Sequence, residues 1–422
     1  MMPVEYLKRV IDPYLKERLK SSGAVLIEGA KWCGKTSTAR SISGSNLFMQ
    51  DPDKRESYLG LAYMKPSTLL EGKTPRLIDE WQTAPILWDA VRFAVDERGL
   101  PGQFILTGSA VPQDDEILHT GTGRISRILM RPMSLFESLE SNGTVSLADL
   151  FNGKSDVAAH SELTLENLSF ALARGGWPNS IKKEEKASLR DSYDYADSVV
   201  NIDTSRVDGV KRNPKTVRDI MKSLSRNISS TANISTIRDD IAGDDDLVSE
   251  KTVASYINAL RRIFVVEDVP AWSPSLRSKT TIRTSPKRHF VDPSIATATL
   301  RISPHGLLED FNTFGLLFES LCTRDLRVYS QVLDGEVFHY RDKSGLEIDI
   351  VVCLADGRWG AVEVKLGSKE IEKGAANLIK AKEKINTDKM KEPSFLMVLT
   401  ATEYAYKRDD GVLVVPIGCL RD

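Results

Sequence analysis

Cysteine and histidine are both scarce in this sequence, four and five among 422 residues. Cys33, Cys322, Cys353 and Cys419 lie far apart. That excludes a disulfide framework and offers no zinc-ligand spacing. It fits reduced thiols in a cytoplasmic protein. The histidines (His119, His160, His289, His305, His339) are scattered, with no pair at metal spacing, and are assigned no chemistry. Long apolar runs are also missing. Nowhere do about 18 apolar residues follow one another, so no membrane span is expected. The N-terminal stretch to Lys20 alternates apolar and charged residues at helical spacing and lacks the apolar core of a signal peptide. Charge of one sign is not in excess either. The formal net charge is −2, so any nucleic-acid surface must be a local patch.

What remains is ordinary globular composition, 41 % hydrophobic and 27 % charged. At about 150 residues per domain the length accommodates two to four domains. The first part alternates apolar runs with helical stretches. Strands are expected at 24–28, 47–49, 76–79, 103–107 and 125–130, with helices from Lys35 and over 84–96. That alternation predicts a parallel sheet covered on both faces, ending near Arg131–Pro132. From Ser134 to about Val200 the pattern is mostly helical, broken at Gly175-Gly176-Trp177-Pro178. Residues 214–268 read as three helices followed by a β run (Phe264–Val266), the order of a winged helix-turn-helix. Ser249 is expected to cap the third of them. The last 120 residues or so return to mixed α/β.

Two constellations carry chemistry. The first is Gly29-Ala30-Lys31-Trp32-Cys33-Gly34-Lys35-Thr36, which matches G-x-x-x-x-G-K-[ST] at every fixed position and is followed by Ser37. The glycines let backbone N–H groups curl around a polyphosphate, and the following helix aims its positive end at it. Lys35 would reach the β and γ phosphates of ATP, and Thr36 would hold Mg²⁺. Trp32 and Cys33 are bulkier than usual here and are expected to point outward. Arg76-Leu77-Ile78-Asp79-Glu80 is an apolar strand ending in two acids. Asp79 would reach Mg²⁺ and Glu80 would polarise the attacking water. A solvated acidic turn would explain that strand alone, but not both elements in one array. Thr107 or Ser109, at the end of the neighbouring strand, would sense the γ-phosphate. Arg124 or Arg127 would serve as an arginine finger in a neighbouring subunit.

The second is Glu347-Ile348-Asp349-Ile350-Val351-Val352, a turn at Ala355-Asp356-Gly357, then Trp359 to Lys365. As a hairpin centred on Asp356 it sets Asp349 opposite Glu363, with Lys365 on the same face. Two facing carboxylates repel, and a divalent metal would resolve that repulsion. Lys365 would then orient water or stabilise phosphate charge. Farther back, Arg277 to Arg288 carries five basic residues and no acids, which suits backbone phosphates.

Gly29–Thr36, Leu77–Glu80, Leu106–Ser109, Gly123-Arg124 and the stretch Arg131 to Glu137 together resemble a prokaryotic AAA-type ATPase family. Lys287-Arg288-His289-Phe290-Val291-Asp292 resembles that family's element after its winged helix. The resemblance covers nearly the whole chain. It implies an α/β fold: an AAA-like parallel sheet (1–133), a helical lid (134–205), a winged helix-turn-helix (206–300) and a nuclease-like tail (301–422). It also implies a homo-oligomeric ring, such as a hexamer, with sites at subunit interfaces. Asp349 with Glu363-Val364-Lys365 resembles the PD-(D/E)xK nuclease core, and that resemblance adds Glu319, on a preceding helix, to a metal set of Glu319, Asp349 and Glu363. A cutting site and an inactive DNA-binding relative of that fold both fit these residues. The function expected is a Mg²⁺-dependent ATPase acting on DNA. The alternative is an ATP-dependent switch that binds a protein partner and carries the tail as an inactive scaffold.

Overall fold

The computed structural model describes residues 6–109, 121–206, 209–242, 248–273, 285–385 and 390–422. The chain divides into two compact units. The first contains residues up to Pro132 together with Asp203–Lys211 and Ala259–Phe264. The second contains Met133–Ile202, Arg212–Asn258 and Val265–Asp422.

The first unit is built on β1 (Ala24–Glu28), β2 (Ser45–Phe48), β3 (Arg76–Asp79), β4 (Phe104–Gly108) and β5 (Ile125–Leu129). They form one parallel sheet in the order β2-β3-β4-β1-β5. Alternation along the strands buries both faces. Ala24 and Leu26 join a cluster with Leu87, Trp88 and Val91 of the helix Ile86–Arg98. Val25 and Ile27 face the other way, onto Leu15 and Leu19 of Ile11–Ser21 and Ala39 of Lys35–Ile42. Strands buried on both faces read as continuous apolar runs, which is why five short segments were visible in the sequence.

The second unit carries a seven-stranded mixed sheet. Its centre follows the helix Phe311–Gln331 and consists of the strands Gly335–Arg341, Glu347–Leu354 and Trp359–Lys365, all antiparallel. The helix Ile371–Lys384 then leads to the strand Phe395–Thr400, parallel to Trp359–Lys365. The segment expected as a separate helical lid belongs to this unit. Its short strand Val145–Ser146 pairs with Leu420–Arg421, and Ala159–His160 pairs with Tyr404–Lys407. Leu135 N–H donates to Asp325 Oδ2 at 2.9 Å and Gly176 N–H to Asp292 Oδ2 at 3.0 Å. Sequence reading missed these strands because each spans only two residues.

Residues 214–262 form the three expected helices, Pro214–Arg226, Ile234–Ile241 and Glu250–Arg262. Asn213 caps the first, accepting from Lys215 N–H at 2.9 Å. Ser249 caps the third, accepting from Thr252 N–H at 3.1 Å. Antiparallel bridges join Val266 to Phe290 and Val269 to Lys287.

Candidate functional site

The loop from Gly29 to Gly34 joins β1 to the helix Lys35–Ile42, the context that a phosphate loop requires. Gly29 has φ +148°, and a Cβ there would lie 2.1 Å from the carbonyl oxygen of Met130. Only glycine fits. Gly34 caps the helix in a left-handed conformation (φ 102°). Trp32 also has positive φ (67°) and is 47 % exposed, pointing outward as expected. Cys33 corrects that expectation. It is fully buried in the cluster with Ile11, Leu15 and Val25, because the loop turns its side chain into the sheet's core. Arg9 holds the loop from outside it, donating to the carbonyls of Cys33 (2.8 Å) and Arg131 (2.9 Å).

Lys35 is buried, and its Nζ donates to the carbonyls of Gly29 (2.9 Å) and Ala30 (2.8 Å). Thr36 Oγ1 donates to Asp79 Oδ1 at 2.7 Å, and Thr107 Oγ1 donates to the same oxygen at 2.6 Å. Thr107 Oγ1 in turn accepts from Glu80 N–H at 3.3 Å. Three strand or helix ends thus converge on one carboxylate oxygen. Glu80 leaves β3 in a left-handed conformation (φ 55°), its carboxylate hydrogen-bonded by Gln82 and by Ser109 Oγ at 3.4 Å. Burial, with Asp79 adding to it, raises the Glu80 pKa, while Lys35 opposes. A carboxylate whose pKa is raised, hydrogen-bonded at the end of a strand, suits proton handling. Of the two sensor candidates, Thr107 reaches Asp79 and Ser109 reaches Glu80. Lys31, in the loop, pairs with Asp203 at 2.5 Å. Asp203 ends the π-helical turn Val199–Asp203, a contact that no local sequence signal announced. Arg124 pairs with Asp96 (2.8 Å), and Arg127 with Glu28 (3.3 Å) while lying over the Trp88 ring. Ala30 is buried beneath the loop, and Ser37 follows Thr36 in the helix.

The oxygen set fits Mg²⁺. The Thr36 hydroxyl and the Asp79 carboxylate are already within hydrogen-bond distance, and Mg²⁺ takes one or two such oxygens together with phosphate and water.

In the second unit the hairpin register is as expected. Trp359 pairs with Cys353, Ala361 with Val351 and Val362 with Ile350, so Asp349 falls opposite Glu363. Lys365 Nζ lies 3.4 Å from Asp349 Oδ2 and 2.8 Å from Glu363 Oε2. Asp349 Oδ2 also accepts from Val364 N–H at 2.9 Å, and Glu363 Oε1 from Asn377 Nδ2 at 2.8 Å. Glu319, Asp349 and Glu363, the expected metal set, are gathered around two ammonium groups, Lys287 and Lys365. Among the described residues no group of three or more His, Cys, Asp or Glu side chains is arranged to hold a metal ion. Lys287 Nζ sits 2.7 Å from Glu319 Oε1 and 3.5 Å from Asp349 Oδ1. Burial pushes Glu319 and Glu363 up to about 7, while Lys287 and Lys365 outweigh burial at Asp349 and hold it low. The basic run changes with this. Arg277 to Arg283 lie outside the described residues, and Lys287 and Arg288 are buried and paired internally, Arg288 with Asp268 at 2.7 Å. Sequence reading missed Lys287 as a member of this centre because a lysine in a basic run looks solvated. Its place at the head of the tract ending in Asp292 was the available signal.

Residues 21–139 match the AAA domain. The candidate ATP-site residues, from Gly29 to Arg127, lie inside that match. Two further segments, 165–306 and 314–420, match domains of unknown function, DUF8612 and DUF4143. Two relatives, the uncharacterized proteins Mb2031c of Mycobacterium bovis and Rv2008c of Mycobacterium tuberculosis, are each 24 % identical over 363 residues, covering 83 % of this chain and 72 % of theirs. Among solved structures, the Walker-type ATPase PABY2304 of Pyrococcus abyssi aligns at TM-score 0.41 and 16 % identity, covering 68 % of this chain and 94 % of that one. The Orc1 protein of Aeropyrum pernix in complex with DNA aligns at TM-score 0.28 and 13 % identity, covering 73 % and 94 %. The AAA domain therefore rests on the matched residues and on its own geometry. No helix among the described residues is long and apolar enough to cross a membrane.

Proposed function

We propose that the chain is a Mg²⁺-dependent ATPase that acts on DNA by binding, remodelling or translocation. The observation that carries the ATPase part is the meeting of Thr36, Asp79 and Thr107 at one carboxylate oxygen beside the phosphate loop. Lys35 exchanges the loop carbonyls for the β and γ phosphates. Thr36 and Asp79 hold Mg²⁺, which when bound neutralises charge on the phosphoryl oxygens. Glu80 orients the attacking water and accepts its proton, and Gln82 and Ser109 fix the Glu80 carboxylate. Arg124 and Arg127, both partly exposed, are the finger candidates if the chain assembles into a ring. Mixing finger-less subunits with Lys35→Ala subunits tests that assembly: activity recovered in the mixture requires a shared site.

The DNA part is supported by the three helices from Pro214 to Arg262 followed by antiparallel bridges, the order of a winged helix. A cleft of 1390 Å³ along the first of them is lined by six Lys or Arg and three Asp among its described residues, including Lys215, Lys222 and Arg226. Such clefts attract backbone phosphates in a salt-dependent way. Measuring phosphate release at low salt with single-stranded, duplex and branched DNA tests it. Stimulation is expected, and a rate indifferent to every DNA would transfer the assignment to the second reading.

That second reading is an ATP-dependent switch that binds a protein partner, with the C-terminal unit as an inactive scaffold. One observation favours it: the ammonium of Lys287 among the carboxylates that would otherwise hold a metal.

A further inference from the structure

The C-terminal centre gathers three carboxylates and two ammonium groups, all largely buried. Five of its six carboxylate oxygens have a donor, Glu319 Oε1 through Lys287 at 2.7 Å. Asp349 Oδ1 faces Lys287, and Oδ2 accepts from Val364 N–H and faces Lys365. Glu363 Oε1 accepts from Asn377 and Oε2 pairs with Lys365. Thus all four carboxylate oxygens of Asp349 and Glu363 have a donor within 3.5 Å. A divalent cation held by these groups would need several of those oxygens at about 2.1 Å in near-octahedral order. It would also have to occupy the space between Glu319 and Asp349 where Lys287 Nζ lies.

Lys287 is placed there by the backbone. Its N–H donates to Val269 O at 3.0 Å, and its carbonyl accepts from Val269 N–H at 2.9 Å. The next residue is pinned as well: Arg288 N–H donates to Ser230 O at 2.8 Å, its carbonyl accepts from Ser229 N–H at 2.9 Å, and its guanidinium reaches Asp268 and Ala232 O. Withdrawing the ammonium would break this ladder or strand buried carboxylates without a partner, a large cost. Burial alone would lower the Lys287 pKa, yet Glu319 and Asp349 reverse that and hold it above its ordinary value.

We propose that Lys287 is a built-in counter-ion standing where a divalent metal would bind, so that this centre takes up no divalent cation until the Lys287 side chain is removed. The centre is then an ion-paired anchor between the bridged residues Val269 and Lys287, the helix Phe311–Gln331 and the hairpin. Lys287→Ala converts it into a metal site formed by Glu319 and Asp349. This inference does not depend on the ATPase reading, because neither ATP nor its hydrolysis enters the test.

The experiment titrates Mn²⁺ into the full chain without nucleotide and reads the free ion by electron paramagnetic resonance. Metal at this centre is the part of the binding that disappears with Asp349→Asn or, independently, with Glu319→Gln. The wild-type chain and these two variants are expected to bind alike. Lys287→Ala is expected to gain one Mn²⁺ bound at least ten times more tightly than anything in the wild-type chain, together with a Mn²⁺-dependent rise in melting temperature. Both gains should vanish in Lys287→Ala/Asp349→Asn. Mn²⁺ bound by the wild-type chain and lost with Asp349→Asn would overturn the proposal, as would a folded Lys287→Ala that gains none. If Lys287→Ala does not fold, the comparison of wild type with Asp349→Asn and Glu319→Gln still decides: equal binding supports the proposal and a loss overturns it.

Discussion

The hydroxyl of Thr36 donates to Oδ1 of Asp79 at 2.7 Å, across 43 residues of sequence. Two elements that the sequence presents separately, a glycine-rich loop and an acid-terminated strand, therefore share an atom contact in the folded AAA domain. Thr107 completes the contact from β4, which lies between β3 and β1 in the sheet. Asp79 is held by two hydroxyls, and the adjacent Glu80 leaves the strand with a left-handed backbone.

Glu80→Gln should separate binding from turnover. The amide keeps the shape and loses the base, so hydrolysis should fall by about 10² to 10⁴ while ATP affinity stays within a few-fold. Fluorescent-nucleotide titration beside phosphate release checks both. An unchanged rate would remove Glu80 from the chemistry.

Gly29→Ala should cost both nucleotide binding and stability. The new Cβ would meet the Met130 carbonyl at 2.1 Å in a backbone conformation hostile to L side chains. On the order of 1–3 kcal/mol is expected from the strain alone. Urea denaturation measures the stability, and a variant as stable as wild type with full affinity would contradict the loop geometry.

Arg324→Leu should destabilise the second unit by about 3–5 kcal/mol. Arg324 bridges Asp292 (2.9 Å) and Asp325 (2.7 Å), all three side chains being essentially inaccessible. Those two acids also accept the N–H groups of Gly176 and Leu135, so the loss would loosen the segments around residues 135 and 176 together. Hydrogen exchange at those amides is the readout. Unaltered protection would show that the bridge is not what holds them.

His339 gives a pH signature. Burial, with Lys287 adding to it, lowers its pKa to about 4. Between about 4 and its ordinary 6.5 the unfolded chain binds the extra proton, so this residue's contribution to stability rises with pH across that window and is flat above it. The slope for one proton approaches about 1.4 kcal/mol per pH unit. Glu319 and Glu363, both raised to about 7, run the other way: each favours the folded state at acid pH and loses that contribution as pH rises to 7. The difference between wild type and His339→Gln isolates the histidine. Parallel stability–pH curves for the two would contradict its burial as a neutral imidazole.

Legibility in the sequence followed the range of the interactions. Gly29–Thr36 and Leu77–Glu80 were readable because their chemistry is local and their strands are buried on both faces. The hairpin register was readable because one turn at Asp356 fixes it, setting Asp349 against Glu363. Lys287 was not, since its partners Glu319 and Asp349 lie 32 and 62 residues away and a basic run has no local mark of burial. Cys33 was misread for a related reason: the direction of a loop side chain depends on the sheet beneath it. The membership of residues 133–202 in the second unit turned on two-residue strands and on single amide contacts to Asp325 and Asp292, which leave no periodicity to detect.

The central claim is tested most directly by ATP hydrolysis with Mg²⁺, with and without DNA, in the wild-type chain and in Lys35→Ala. The account predicts Mg²⁺-dependent phosphate release by the wild type, raised by DNA and abolished by Lys35→Ala. A rate that survives Lys35→Ala, or the absence of any Mg²⁺-dependent release from the wild-type chain, would contradict it.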